Sequence, residues 1–237
     1  MTEMMRRFLR QKFGSVATVI ALSVLALLSI APLVASGGRS GTGGSALALF
    51  VIAAASVSKD ASSGALQMML ARPITRSSYL FGRFFGILAA YAAFLAIVLL
   101  LGLALSRLFG SSGGPHVELA SAGVGVLGEF AQGILIAAIL LFFSTFLPGY
   151  ADLLGYFLLV LILQVPEMRA GDLIRPWVAR VGRVVRDNVY PSVPWDEVLR
   201  GQNALREATG RYVLAVTAFL LLASAIFARR EFAYGQD

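Results

Sequence analysis

Hydropathy divides the chain into apolar runs separated by short polar breaks. Residues 13–34 form 22 positions without a charge, preceded by Arg6, Arg7, Arg10 and Lys12 against a lone Glu3. A signal peptide also begins basic and then apolar, but its apolar region is shorter, roughly 7–15 residues, and no convincing cleavage site follows. The pattern predicts a retained first membrane helix. Phe8 and Leu9 among the basic residues predict an amphipathic piece over 1–12, lying along the cytoplasmic surface. GGRSGTGG at 37–44 reads as a flexible turn. The run at 45–58 has 14 residues, short of the roughly 17–25 a crossing needs, so Gly43 and Gly44 or helix beyond Lys59 must supply the rest. A third run covers 79–109, with Arg83 and Arg107 near its ends, where long side chains reach the interfaces. Gly82 and Gly86 within it are spaced for close helix approach, a pattern also common by chance in glycine-rich membrane chains.

After a polar loop at 110–118, residues 124–147 predict a fourth crossing, which contains Glu129. An ionisable group inside a membrane segment is a functional candidate by default, whereas one a single turn inside the interface is a wetted structural carboxylate. The second reading is preferred for Glu129. Pro148-Gly149 is a strong turn signal, followed by Asp152 and a fifth run at 153–165.

Residues 166–211 differ in character, with eight arginines and six acidic residues. Ile174, Trp177, Val178, Val181, Val184 and Val185 recur at helical spacing, with Arg175, Arg183 and Arg186 on the other side. This predicts an amphipathic helix at head-group level, broken by Pro191 and Pro194, with a second short helix over 196–208. An anchoring role for this loop, through Trp177, Tyr190 and Trp195, is preferred to a substrate-contacting lid. The sixth run, 211–228, is stopped by Arg229-Arg230.

The fold class predicted is therefore an all-α integral membrane protein of six transmembrane helices, a single domain over 1–237, with a polar cytoplasmic segment at 59–80 and an amphipathic external loop at 166–211. Composition agrees. The chain is 58% hydrophobic and 14% charged, where a soluble domain holds about a quarter charged residues. Six crossings place both termini on one side. The Lys/Arg count is ten (6, 7, 10, 12, 59, 72, 76, 83, 229, 230) against ten, and eight of the second ten fall in the 166–211 loop. Without that loop it is ten against two, Arg39 and Arg107, which orients both termini to the cytoplasm. The net charge of +7 is accounted for by helix ends and lipid head groups, so no nucleic-acid partner is implied. Absent cysteine excludes disulfides and thiol chemistry, and a lone His116 excludes a His/Cys metal site within one chain.

The most polar stretch between two apolar runs in the first half is 59–86, KDASSGALQMMLARPITRSSYLFGRFFG. Residues 63–71 suit a short helix with Leu66, Met69 and Leu70 on its apolar side. Arg72 precedes Pro73 and is pushed out of the α region, so the helix stops there. Thr75, Ser77 and Ser78 are candidate caps for the next helix. Arg72, Arg76 and Arg83 give the turn a positive tip. Two readings stand at even weight: an ordinary loop whose arginines set orientation, and a docking element for an acidic groove.

In this stretch the chain resembles the membrane permeases of type-2 ATP-binding-cassette (ABC) transporters. The matching positions are Asp60, Gly64, the leucine-rich helix from Leu66 through Met68 and Met69 to Leu70, Pro73 with Arg76, and Gly82-Arg83 followed by Gly86. Ser62 and Ser78 stand where the family is often acidic, and Ala65 where threonine is common. The resemblance implies that this loop is a coupling helix docking into an ATPase subunit, through Asp60, Gly64, Met68, Met69, Leu70, Arg72, Pro73 and Arg76. It further implies a bacterial or archaeal cell membrane and a dimer with a second copy or a related permease. Two ATPase chains would carry the ATP and Mg, with no cofactor on this chain.

The residues themselves argue against independent catalysis. There is no G-x-x-x-x-G-K-[ST] loop, no H-E-x-x-H and no Ser/His pair. The expectation is a non-enzymatic exporter subunit in contact with membrane lipid. The alternative is a non-transporting subunit through which an ATPase does mechanical or regulatory work on an extracytoplasmic partner. A secondary transporter ranks third, for want of an inverted repeat or charged helix pairs. The sequence does not name the cargo.

Overall fold

A computed structural model describes residues 6, 10, 13–35, 45–54, 75–110, 118–147, 150–168, 176–191, 193–195, 198 and 206–229. Among them every regular element is a helix: α1 (Val16–Ala35), α2 (Ser45–Ala53), α3 (Arg76–Gly110), α4 (Leu119–Ser144), α5 (Ala151–Met168), α6 (Pro176–Val189) and α7 (Arg206–Arg229). Four of these, α1, α3, α4 and α7, are long and apolar enough to cross a membrane, and α5 holds a shorter apolar helix. The protein is an all-α, multi-pass membrane protein.

Local sequence explains several boundaries. Helix α3 starts at Arg76, which leaves Thr75, of the three candidate caps, at the position before the first turn. Helix α4 starts at Leu119, five residues before the expected Val124. Residues 119–123, LASAG, add little hydropathy but include good helix formers, so the helix extends where the apolar run does not. Of the expected second crossing, Ser45–Ala53 is helical and residues 55–58 lie outside the described residues. The expected short helix over 196–208 also lies largely outside them.

Hydroxyl residues in the spans bond to their own helix, which removes the cost of an unmet donor in hydrocarbon. Ser29 donates to the Leu25 carbonyl at 2.7 Å, Ser23 to Val19 at 2.9 Å and Thr217 to Val213 at 2.8 Å.

The chain forms two compact units. The first comprises Met1–Ala53, Ser78–Ala137 and Pro194–Gln202. In it α1 packs on α2. The buried seam of α1, Leu22, Ala26, Ile30 and Leu33, recurs at helical spacing, while Val16, Ile20, Leu27 and Leu28 point outward. Gly102 of α3 allows close approach to α1: a Cβ there would lie 2.6 Å from the Leu33 side chain.

The second unit comprises Ala54–Ser77, Ala138–Val193 and Asn203–Asp237. Phe142 anchors it, edge-on to Phe143 and Phe146, and to Phe219 of α7 at 5.6 Å. Gly155 of α5 faces Phe143 and Leu147. A Cβ on it would lie 2.8 Å from each of those side chains, so the turn after α4 folds tightly back. Helix α6 packs on α5 and on α7.

Candidate functional site

The expected docking residues Asp60, Gly64, Met68, Met69, Leu70, Arg72 and Pro73 lie outside the described residues. Arg76, the last of that set, opens α3. Its exposed guanidinium donates from Nη1 to the Ala228 carbonyl at 2.7 Å. Ala228 is in the last turn of α7, where carbonyls lack helical partners and the helix dipole favours a cation. Arg76 thus joins the start of α3 to the end of α7. Nothing in the sequence pairs these positions, which are 152 residues apart.

Arg83 corrects an expectation. Rather than reaching an interface, it is enclosed at 4% exposure. Its Nε donates to the Tyr79 hydroxyl at 3.3 Å, and its guanidinium carbon lies 5.5 Å from the Tyr79 ring centre. Tyr79 is one turn earlier on the same face of α3, and also buried. An aromatic hydroxyl and ring satisfy part of the guanidinium where water is excluded. The i,i+4 spacing was visible in the sequence; the enclosure was not. Arg107, by contrast, is exposed near the far end of α3, as expected.

Glu129 also lies deeper than expected. Because α4 begins at Leu119, Glu129 is nearly three turns inside it, about 15 Å along the axis. The hydropathy run that begins at Val124 placed it only about a turn and a half from the start of its helix. Glu129 is half-buried and acts electrostatically on Tyr91 of α3. The Tyr91 hydroxyl bonds the Ser45 side chain at the start of α2, and its ring stacks on Phe130 with centroids 6.3 Å apart. Tyr91 is about 22 Å along α3 from Arg76, and Phe130 about 16 Å along α4 from Leu119. Both rings thus lie well inside their helices, several turns from either start. Two close approaches frame the stack. A Cβ on Gly133 would meet the Tyr91 ring at 2.3 Å, and one on Gly128 would meet Trp195 at 2.9 Å. Three helices therefore bring Ser45, Tyr91 and Glu129 together, with Trp195 packed one residue from the carboxylate. Only Glu129 was singled out from sequence as a candidate site residue; Tyr91 and Ser45 lie in apolar runs without a distinguishing local pattern.

In the second unit, Ser144, Thr145 and Asp152 are fully enclosed around the turn between α4 and α5. Thr145 donates to the Phe142 carbonyl at 2.7 Å, and Asp152 accepts from the Leu153 N–H at 2.9 Å in the first turn of α5. An acidic residue there suits the helix dipole, a structural role. Farther along the chain, the Tyr156 hydroxyl meets that of Tyr190 at 3.2 Å. Tyr156 belongs to the first half of α5 and Tyr190 follows α6, so α6 folds back toward α5. Arg186 pairs with Asp187 at 3.1 Å. Among the described residues no group of three His, Cys, Asp or Glu has a metal-binding arrangement.

No family model matches the chain, and no curated protein matches it significantly.

Proposed function

We propose that the chain is the membrane-spanning permease subunit of an ABC exporter, working as a dimer in a bacterial or archaeal cell membrane with two separate ATPase chains. The reading rests on the motif at 59–86, and the observation that carries it furthest is the Arg76–Ala228 bond. Two residues at one end of the protein require an even number of crossings between them. Helices α3, α4 and α7 supply three, and α5, about 27 Å long, supplies the fourth. In this proposal α1 and the run begun by α2 bring the crossings to six, with 59–80 on the cytoplasmic side together with both termini. On this reading ATP binding closes the ATPase pair, the docked segment moves with it, and Arg76 transmits that movement to α7 as well as α3. Pro73 keeps the turn stiff enough for the motion to pass. The subunit itself holds no nucleotide.

The test is co-purification with any ABC ATPase found encoded beside this chain, measuring retention and hydrolysis. The intact chain should retain the ATPase. Pro73→Gly, which leaves Arg76 in place, should loosen or uncouple it, and Pro73→Gly with Arg76→Glu should lose it. An intact chain that never holds the ATPase, or variants that couple equally well, would overturn the proposal.

A further inference from the structure

Among its described side chains, α6 leaves apolar positions outward rather than packing them into the bundle. Gly182, Arg186 and Val189, on the side carried toward α5 and α7, are half-buried, and Tyr190 beyond them is fixed to Tyr156. Val184 and Val185 are 57% and 45% exposed. Arg180 and Arg183 are exposed too, and Arg180 is one turn from Val184 on the same surface. Asp187, whose side chain is 41% exposed, is the one acidic group beside this patch among the described residues, and it is paired with Arg186, which leaves the patch net positive. Hydrocarbon and cation are thus presented side by side, in the order found at a lipid head group. On α5, against which α6 packs, Leu154, Leu158, Leu161 and Ile162 are exposed apolar residues as well.

We infer that this face of α6 binds anionic phospholipid of the surrounding bilayer, with Val184 and Val185 in the hydrocarbon and Arg180 and Arg183 on the head-group phosphate. A second copy meeting this face through a two-fold axis would bring Arg180 and Arg183 close to their own counterparts, which the charges oppose. Anionic lipid instead supplies both complements at once. The inference depends on membrane placement and stands apart from ATPase coupling.

The chain has no cysteine, so Val184→Cys gives a single site for a nitroxide. The full-length protein is reconstituted in phosphatidylcholine vesicles, with and without phosphatidylglycerol. The expected result is a label accessible to oxygen and shielded from a water-soluble nickel reagent, with the shielded population rising when phosphatidylglycerol is added. Each basic residue at an anionic surface shifts such an equilibrium by about fivefold, so Arg180→Gln with Arg183→Gln should shrink the lipid-dependent rise by about 25-fold. A label equally open to nickel in both vesicles overturns the inference. So does shielding that ignores lipid charge and the two arginines, or short label-to-label distances showing that a second copy covers the face.

Discussion

Replacing Gly133 by alanine tests whether Tyr91 is held as tightly as the packing requires. The new methyl would lie 2.3, 2.9 and 3.2 Å from three atoms of the Tyr91 ring, where carbon atoms ordinarily keep about 3.5–4.0 Å. The ring has little freedom to move. It is 2% exposed, stacked on Phe130, and its hydroxyl is engaged with Ser45. Overpacking of this kind costs about 1–3 kcal/mol. Alanine gains up to about 1 kcal/mol over glycine in a helix, so the net loss should be roughly 0–2 kcal/mol. Gly123, on the same helix with nothing within 4 Å of its Cβ position, supplies the control. There the alanine should be neutral or stabilising by up to about 1 kcal/mol. Equilibrium unfolding in mixed detergent micelles would read both. Removing the ring should abolish the clash, so Tyr91→Ala with Gly133→Ala should show a coupling of about 1–3 kcal/mol. If Gly133→Ala stabilises as Gly123→Ala does, or its effect simply adds to that of Tyr91→Ala, the close approach is not what limits this site.

Two other outcomes follow from the polar contacts. Tyr156→Phe and Tyr190→Phe should each cost about 0.5–1.5 kcal/mol in the same unfolding assay, and the double variant little more than either, because one bond is lost in all three. Glu129→Leu should stabilise the protein or leave it unchanged while lowering ATP-driven export in reconstituted vesicles, since a carboxylate inside a helix of membrane-crossing length is kept at a cost in stability. Full export by a protein of unaltered stability would return Glu129 to a structural role.

The helices that sequence revealed best are α1 and α3, which begin and end within about three residues of where hydropathy placed them, whereas α7, like α4, begins five residues early. The start of α4 was missed because small residues extend a helix without raising hydropathy, and with it the position of Glu129 along that helix. Periodicity identified the apolar and basic sides of α6 but not which one its neighbours would cover, since a 3.6-residue pattern carries no information about the partner. The Tyr79–Arg83 pair was legible as an i,i+4 spacing. The meeting of Ser45, Tyr91 and Glu129, and of Arg76 with Ala228, was not, because each requires elements far apart in sequence to converge. Of the expected docking residues Arg76 alone is among the described residues, so the assignment of that segment rests on sequence resemblance.

For an ATPase to reach both the segment leading into α3 and the end of α7, the two must share the cytoplasmic side. Single cysteines at Arg76, Ala228 and Arg107, each in the otherwise cysteine-free chain, can be exposed to a membrane-impermeant maleimide in intact cells and again after the membrane is opened. Positions 76 and 228 should both be protected in intact cells and both labelled once the membrane is opened, while position 107 should be labelled from outside. Labelling of 76 and 228 from opposite sides, or of both from outside, would refute the shared cytoplasmic placement and the coupling built on it.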